Sequence, residues 1–419
     1  MRDRRAIEAA QWERLQTLRQ ALLGQNKFCS ERLDTGFASL AEFRARTPFT
    51  TKAELVEDQL AHPPFGSNLT YPVERYTRFC QTSGTTGVPL RWLDTEESWD
   101  WMAHCWCRVF QSANTTAADR IFFAFSFGPF LGFWTAFDGA KKIGALAIPG
   151  GGMSSTARLR TIFDARATIL CCTPTYAIRL GETASEEGFD LRQSAIRAVI
   201  LAGEAGASVS GTRALIEQLW PGARIVDHHG MTETGPVSYE CPRRAGVLHI
   251  LEDEYIAEIV DPETGDPLED GQKGELVLTN LGRIAAPVIR YRTGDIVQPS
   301  PRGQCACGSH ELALEGGILA RRDDMVVIRG VNVYPSAIED VIRHCGGVAE
   351  YRVEIQTVRA MVELRLSVEP APDAGAHLAH RLEAALRDAL GLRIPIHILG
   401  PDSLPRFEMK SRRWVHVKP

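Results

Sequence analysis

The stretch QTSGTTGVP, residues 81–89, is the segment from which the interpretation of this chain starts. It is too small, too polar and too rich in glycine to build a hydrophobic core. Glycine lets a backbone approach an anion closely, and Ser and Thr hydroxyls add hydrogen-bond donors around phosphate oxygens. The spacing is not that of a Walker A loop, and a solvated linker is the plain alternative. The residues that we expect around a phosphate are Thr82, Ser83, Gly84, Thr85, Thr86 and Gly87.

The bulk composition is that of an ordinary globular protein. The chain has 419 residues, of which 44% are hydrophobic and 24% charged, and its formal net charge is −5. This length predicts two or three domains, the charge gives no indication of nucleic-acid binding, and no apolar run is long enough for a transmembrane helix. The charged start and the ten scattered cysteines indicate a cytoplasmic protein with reduced thiols. The sequence leaves the oligomeric state open, a homodimer included.

Strand and helix patterns alternate between residues 120 and 230, which predicts a mostly parallel sheet covered by helices on both faces. The expected helices span residues 154–165, 174–187 and 208–220. The expected strands are Ile121–Phe125, Gly144–Ile148, Thr168–Cys172, Ala198–Leu201 and Arg224–Asp227.

The pattern changes after residue 247. Period-two alternation with Asp-Pro and Asp-Gly turns predicts an antiparallel sheet or sub-barrel with strands Ile256–Ile259, Gly274–Thr279 and Val288–Tyr291. A compact α+β pattern follows the charged run near residue 321. We therefore predict an α/β fold with a large N-terminal domain, residues 1–320, and a small mobile C-terminal domain, residues 321–419.

Several further motifs accompany the first, one before it and the others after it. With them the chain resembles the adenylate-forming enzymes (acyl-CoA synthetase superfamily), and within these the phenylacetate–CoA ligase branch. The motifs are Pro48–Lys52, Cys172–Tyr176, Gly203-Glu204, His229–Thr234, Tyr291–Asp295, Arg321–Pro335 and Pro405–Lys410.

The resemblance implies a reaction in two halves, which use ATP, Mg²⁺ and CoA. A carboxylate first attacks the α-phosphate of ATP, giving an acyl-adenylate and pyrophosphate, and the CoA thiol then displaces AMP. Lys410 is then a catalytic cation at the α-phosphate, and Glu233 a catalytic acidic residue that places Mg²⁺. Without the resemblance, Lys410 reads as part of a solvated basic terminus and Glu233 as a helix-start cap.

The same resemblance assigns nucleotide, hinge and CoA positions. Asp295 is expected to accept hydrogen bonds from the ribose hydroxyls, against the alternative of an ordinary turn aspartate. Asp323 resembles the hinge about which the small domain rotates, and Gly330 is expected beside the pantetheine arm. The other residues assigned to the nucleotide site are Gly203, Glu204, His229, Gly230, Met231, Thr232 and Arg321.

Four positions depart from the superfamily pattern. Leu90 stands where lysine often follows the phosphate loop, and His229 replaces the aromatic residue, commonly tyrosine, that packs on adenine. Ala320 and Met409 each replace a glycine. These departures leave open an amine or a carrier-protein thiol as the acyl acceptor. A catalytically silent nucleotide- or acyl-binding homologue is the alternative from another functional class.

Three cysteines and one histidine form a candidate metal site. Cys241, His249, Cys305 and Cys307 have the donor set of tetrahedral zinc, and their loops resemble zinc-bearing loops of the phenylacetate–CoA ligase branch. Four protein ligands close the coordination shell, so that the metal is structural. Free thiols and a core histidine are the alternative.

The acyl pocket is expected between the strand ends of the large domain. Its aromatic residues favour a flat aryl or arylacetic acid over a fatty acid, although aromatic residues at 122–134 also suit a hydrophobic core. His228 offers a polar contact to a ring hydroxyl or amine. The candidate lining residues are Phe125, Phe127, Gly128, Phe130, Tyr176, Gly203 and His228.

Overall fold

The computed structural model describes residues 2–33, 36–82, 89–204, 206–328, 331–358, 361–372, 374–407 and 411–417. Within these ranges, no helix combines the length and the apolar content that a membrane crossing needs. The α-helices are α1 (Arg4–Leu22), α2 (Lys27–Ser30), α3 (Leu40–Arg46), α4 (Lys52–Ala61), α5 (Glu96–Ser112), α6 (Leu131–Lys142), α7 (Ser155–Asp164), α8 (Pro174–Glu186), α9 (Ser210–Leu219), α10 (Pro335–Cys345) and α11 (Leu378–Leu390).

A five-stranded parallel sheet forms the centre of the large domain, as the strand–helix alternation predicts. Its spatial order is β4-β3-β5-β6-β7. Both faces of a parallel sheet are hydrophobic, so both are packed against other elements. One face packs in a cluster with Phe110 and Ile121, and the other in a cluster with Tyr176 and Trp220. The strands are β3 (Arg120–Phe123), β4 (Leu146–Pro149), β5 (Ile169–Cys172), β6 (Ala198–Leu201) and β7 (Arg224–Asp227), and a hairpin of β1 (Arg78–Gln81) and β2 (Arg91–Asp94) precedes them.

A six-stranded antiparallel sheet follows in the order β10-β11-β15-β14-β13-β12. The predicted strand Val288–Tyr291 is wrong, because β14 begins at Tyr291. Arg290 has a φ of 46° and donates both to Glu258 and to the Thr47 carbonyl, so the chain turns there. After the short hairpin of β8 (Gly230–Met231) and β9 (Gly235–Pro236), the strands are β10 (Ser238–Glu240), β11 (Leu248–Ile250), β12 (Tyr255–Val260), β13 (Gly274–Asn280), β14 (Tyr291–Pro299) and β15 (Ala313–Arg321).

The C-terminal domain has its own core and its own sheet. The four-stranded sheet has the order β20-β19-β18-β21, and α10 and α11 contribute Ile342 and Leu382 to the same core. The sequence analysis missed β21, which pairs in parallel with β18. The α/β fold class is confirmed; the boundary between residues 320 and 321 stays a prediction. The strands are β16 (Val326–Ile328), β17 (Val331–Val333), β18 (Val348–Val358), β19 (Met361–Pro370), β20 (Ile396–Ile398) and β21 (Trp414–His416).

Candidate active site

The predicted site segments meet at the carboxyl edge of the parallel sheet. The carboxyl ends of parallel strands share one edge, and the loops that leave it are the usual place for a ligand in an open α/β sheet. Four strands contribute such a loop, namely residues 125–130 after β3, 173–176 after β5, 203–204 after β6 and 228–229 after β7.

Asp295 and Arg321 form an ion pair across two neighbouring strands. They are opposite each other in the β14–β15 register, and Arg321 Nη1 lies 3.3 Å from Asp295 Oδ1. Burial alone raises the pKa of the Asp295 carboxyl, but Arg321 and then His229 lower it below its ordinary value. The buried carboxylate is therefore charged at neutral pH.

The second oxygen of Asp295 faces His229. Asp295 Oδ2 and His229 Nε2 are 2.9 Å apart, but neither is aligned for a hydrogen bond to any described residue. Buried polar atoms without partners are costly and uncommon, so an unsatisfied carboxylate oxygen indicates a ligand with hydroxyl donors. A pair of neighbouring hydroxyl groups, as on ribose, can donate hydrogen bonds to such a carboxylate.

Glu233 lies at the tip of the β8–β9 hairpin and is 4% exposed. Lys52 Nζ, at the start of α4, lies 3.8 Å from Glu233 Oε1. A capping box between Thr51 and Glu54 fixes this start of α4. The sequence analysis quoted Lys52 within a motif but assigned it no role; the structure brings its ammonium group to the predicted magnesium carboxylate.

A buried ion pair that the sequence analysis missed holds the same hairpin. Arg283 donates to both carboxylate oxygens of Asp94, and both side chains are fully buried. Its third nitrogen donates to the carbonyls of Thr232, at 2.6 Å, and Glu233, at 3.2 Å. Because Asp94 ends β2, this pair connects the phosphate-loop hairpin to the Glu233 turn. The available signal was Arg283, a charged residue directly before the apolar run Ile284–Ala286, which indicates a buried partner.

The base of the phosphate loop is closed by Thr82 and Leu90. Thr82 N donates to the Leu90 carbonyl, and Leu90 N donates to Thr82 Oγ1, both at 3.0 Å. The predicted phosphate residues Ser83 to Gly87 lie outside the described residues, as do Gly330 and Lys410. Their roles stay predictions.

His228 is a buried, neutral histidine at the end of β7. Its Nδ1 lies 2.7 Å from the carbonyl oxygen of Ser238, which can only accept, so Nδ1 carries the proton. Burial lowers the pKa of His228 to about 3. The ring lies 4.3 Å from that of Trp106. Nε2 is therefore unprotonated and can accept a hydrogen bond from a hydroxyl or amine of a substrate.

The predicted acyl-pocket residues divide between the two faces of the sheet. Phe125 stacks on Phe133 at 3.8 Å within one core cluster, whereas Tyr176 is fully buried in the other. Phe127 has a φ of 53°, and the Gly128 carbonyl accepts from a tryptophan. The pocket assignment of these residues stays a prediction.

Glu204 contacts the C-terminal domain. Its Oε1 accepts from Thr175 N at the start of α8, and its Oε2 accepts from Ser411 N, both at 2.9 Å. Gly203, with a φ of 99°, turns the chain after β6. The structure thus gives Glu204 a role between domains that sequence reasoning did not foresee.

The candidate zinc ligands lie together, with all four ligand atoms within 4.8 Å of one another. Cys241 Sγ is 3.7 Å from Cys305 Sγ, close to the roughly 3.8 Å expected between two thiolates on one tetrahedral zinc. His249 Nδ1 lies 3.3 Å from the Glu311 carbonyl oxygen, to which it donates a hydrogen bond. Nε2 then carries no proton and is available to bind a metal ion. The residues fit a closed zinc site.

Two family models match the chain. The model of the AMP-binding enzymes matches residues 73–282, and that of the AMP-binding enzyme C-terminal domain matches residues 330–418. Among curated proteins, the chain is 30% identical to the phenylacetate-coenzyme A ligase of Thermus thermophilus over 98% of this chain and 96% of that protein.

Solved structures add information about the arrangement of domains. The 2-hydroxyisobutyryl-CoA ligase in its postadenylation state is 30% identical and superposes with a TM-score of 0.91 over 98% of this chain and 89% of that one. The same ligase in its thioesterification state gives a TM-score of 0.73 over 98% of this chain and 90% of that one. The domains of the present structure are therefore arranged as in the postadenylation state.

Proposed function

The chain belongs to the family of AMP-binding, adenylate-forming enzymes, and from this premise we propose that it activates a carboxylic acid with ATP and transfers the acyl group to CoA. The Oδ2 atom of Asp295, which faces His229 without a hydrogen bond while Oδ1 pairs with Arg321, is the observation that carries the proposal. A charged acceptor at the carboxyl edge of the sheet suits the ribose of a nucleotide.

In the first half-reaction, a substrate carboxylate oxygen attacks the α-phosphorus of ATP, and the bond to pyrophosphate breaks. We assign Lys410 to the charge that develops on the α-phosphate, and the loop from Thr82 to Gly87 to the departing phosphates. Glu233 is the proposed ligand of Mg²⁺, which offsets repulsion among the negative groups. Lys52, 3.8 Å from Glu233, adds a positive charge at the same place.

In the second half-reaction, the CoA thiol attacks the acyl carbonyl and AMP leaves. The proposed hinge Asp323 and the proposed pantetheine neighbour Gly330 belong to this step. The similarity to CoA ligases over nearly the whole chain supports CoA as the acceptor.

For the acid, we propose an aryl or arylacetic acid. The aromatic cluster that follows β3, in which Phe125, Phe127 and Phe133 make ring contacts, supports a flat substrate. The neutral His228 is the proposed acceptor for a hydroxyl or amine on that ring.

We also propose that Cys241, His249, Cys305 and Cys307 bind one structural zinc. The site stabilises β10, the strand whose Ser238 carbonyl orients His228. Elemental analysis is expected to give one zinc per chain, and Cys307→Ser to lose it and lower the unfolding temperature. Purified, stable protein without zinc contradicts this assignment.

We propose the cytoplasm as the place of the reaction. None of the ten cysteines forms a disulfide in the described structure, which suits a reducing compartment.

Pyrophosphate release from ATP and Mg²⁺ over a panel of aryl acids, with and without CoA, tests the function. We expect release that depends on the acid and turns over only with CoA. Release that ignores CoA points to another acceptor. No release with any acid, by protein that still binds ATP, contradicts the ligase.

A further inference from the structure

The C-terminal domain is docked on the large domain through two helices. Helix α10 lies across the start of α9, and a Cβ atom added to Gly211 lies 2.7 Å from the Cβ of Arg343. Glycine is therefore needed for this close approach. In the docked orientation, α10 and the start of α9 therefore pack closely against each other.

A carboxylate of the small domain caps a helix of the large domain. The N-cap residue of α9 is Val209, whose side chain offers no hydrogen-bonding group. Asp340 of α10 supplies the cap instead: its Oδ1 accepts from Gly211 N at 3.1 Å and from Ser210 Oγ at 3.0 Å. A negative charge at a helix N-terminus is favourable, so this contact stabilises the docked orientation.

A carboxylate of the large domain makes the reciprocal contact. Glu204 Oε1 is held by Thr175 N at the first turn of α8, which orients the carboxylate and leaves Oε2 to accept from Ser411 N. That donor belongs to the peptide bond joining Lys410 to Ser411. Glu204 thus holds the backbone immediately after the proposed catalytic lysine.

We propose that Glu204 is a positioning residue for adenylation: its carboxylate holds the Ser411 amide, keeps the C-terminal domain in the adenylating orientation, and releases it before acyl transfer. Asp340 supports the same orientation from the other domain. The inference rests on the proposed function. It agrees with the closer superposition on the postadenylation than on the thioesterification state of the similar ligase.

The chemistry of the contacts suits a domain that must dock and leave repeatedly. Both are hydrogen bonds from backbone N–H groups to a carboxylate, which are strong when desolvated and are replaced by water when the domains separate. Glu204 is expected to favour the first half-reaction and to contribute nothing once the domain has rotated.

Glu204→Gln tests this role with little change of shape. Glutamine keeps one oxygen acceptor and presents an amide donor in place of the second. We expect acid-dependent acyl-adenylate formation to slow about tenfold, equivalent to ~1.4 kcal/mol. Transfer from supplied acyl-adenylate to CoA is expected to slow clearly less than adenylation does, because the Ser411 contact belongs to the docked orientation alone. Ser411→Ala is the matched control, because it keeps the backbone N–H and loses only the 3.4 Å hydroxyl contact.

Hydrogen exchange supplies a readout that does not depend on activity. Amides of peptides covering 411–417 and the start of α9 are expected to exchange faster in Glu204→Gln than in wild type or Ser411→Ala. Asp340→Ala, which removes the acceptor that caps α9, is a second variant with the same expected pattern in both assays. Unchanged exchange and adenylation, or equal losses in both half-reactions, overturn the inference. Changed exchange in a protein that adenylates no acid supports the docking contact and contradicts the proposed function instead.

Discussion

At the scale of single residues, the site depends on titratable side chains whose surroundings set their protonation state. Asp295 stays charged because Arg321 and His229 offset the burial that raises its pKa. His228 stays neutral because burial lowers its pKa. Asp295, in β14, then acts as a charged acceptor, and His228, directly after β7, acts as an uncharged one.

Asp295→Asn is expected to weaken AMP binding. The variant removes the charge and one of the two acceptors proposed for the ribose, and the loss is about tenfold in Kd, or ~1.4 kcal/mol. Calorimetric titration with AMP measures it, with the exposed Asp270→Asn as the control. Equal affinity in wild type and Asp295→Asn contradicts the assignment.

His228 is expected to make stability depend on pH. Its pKa of about 3 in the folded chain is below the ordinary value of about 6.5, so the unfolded chain takes up the proton first as pH falls. The contribution is therefore complete above pH 6.5 and is lost below it, by about 2 kcal/mol at pH 5. Urea unfolding at pH 5 and pH 8 measures this change, which His228→Gln is expected to reduce.

His397→Gln is the control for this experiment, because His397 is exposed on the small domain. Its pH dependence is expected to match wild type. A pH dependence in His228→Gln that equals wild type contradicts a buried, neutral His228.

At the scale of elements, hairpins and strand ends position the chemistry. The sequence predicted the parallel strands well, because short apolar runs between helical patterns are a strong local signal. It placed Val288–Tyr291 wrongly, since the turn at Arg290 is fixed by Glu258 and Thr47, which are distant in sequence. The Asp94–Arg283 pair was missed for the same reason: its partners are 189 residues apart.

Arg283→Ala is expected to destabilise the large domain by about 3–5 kcal/mol, because it leaves Asp94 buried without its partner. It also frees the carbonyls that hold the Glu233 turn, so the Mg²⁺ concentration needed for half-maximal adenylation is expected to rise. Denaturant unfolding and a magnesium titration measure the two effects. Arg302→Ala removes an exposed pair with Asp270 and is expected to cost less than about 1 kcal/mol.

At the scale of the whole molecule, the proposed reaction site takes residues from both the large and the C-terminal domain. The ordered motifs allowed the family and the fold class to be predicted, because the resemblance extends over the whole chain. The contacts of Glu204 and Asp340 were not predictable, since they exist only when two separately folded units dock. Sequence patterns report on local structure and on cores, but weakly on an interface made of a few polar contacts.

The central claim is that this chain uses ATP to activate an acid, with Lys410 as the catalytic cation. Acid-dependent exchange of labelled pyrophosphate into ATP tests it most directly, comparing wild type with Lys410→Ala and with the exposed neighbour Arg412→Ala. We expect exchange in wild type and Arg412→Ala, and a loss of about 100-fold or more in Lys410→Ala, with AMP binding retained. Exchange that is unchanged in Lys410→Ala, or absent from wild type with every acid, contradicts the account.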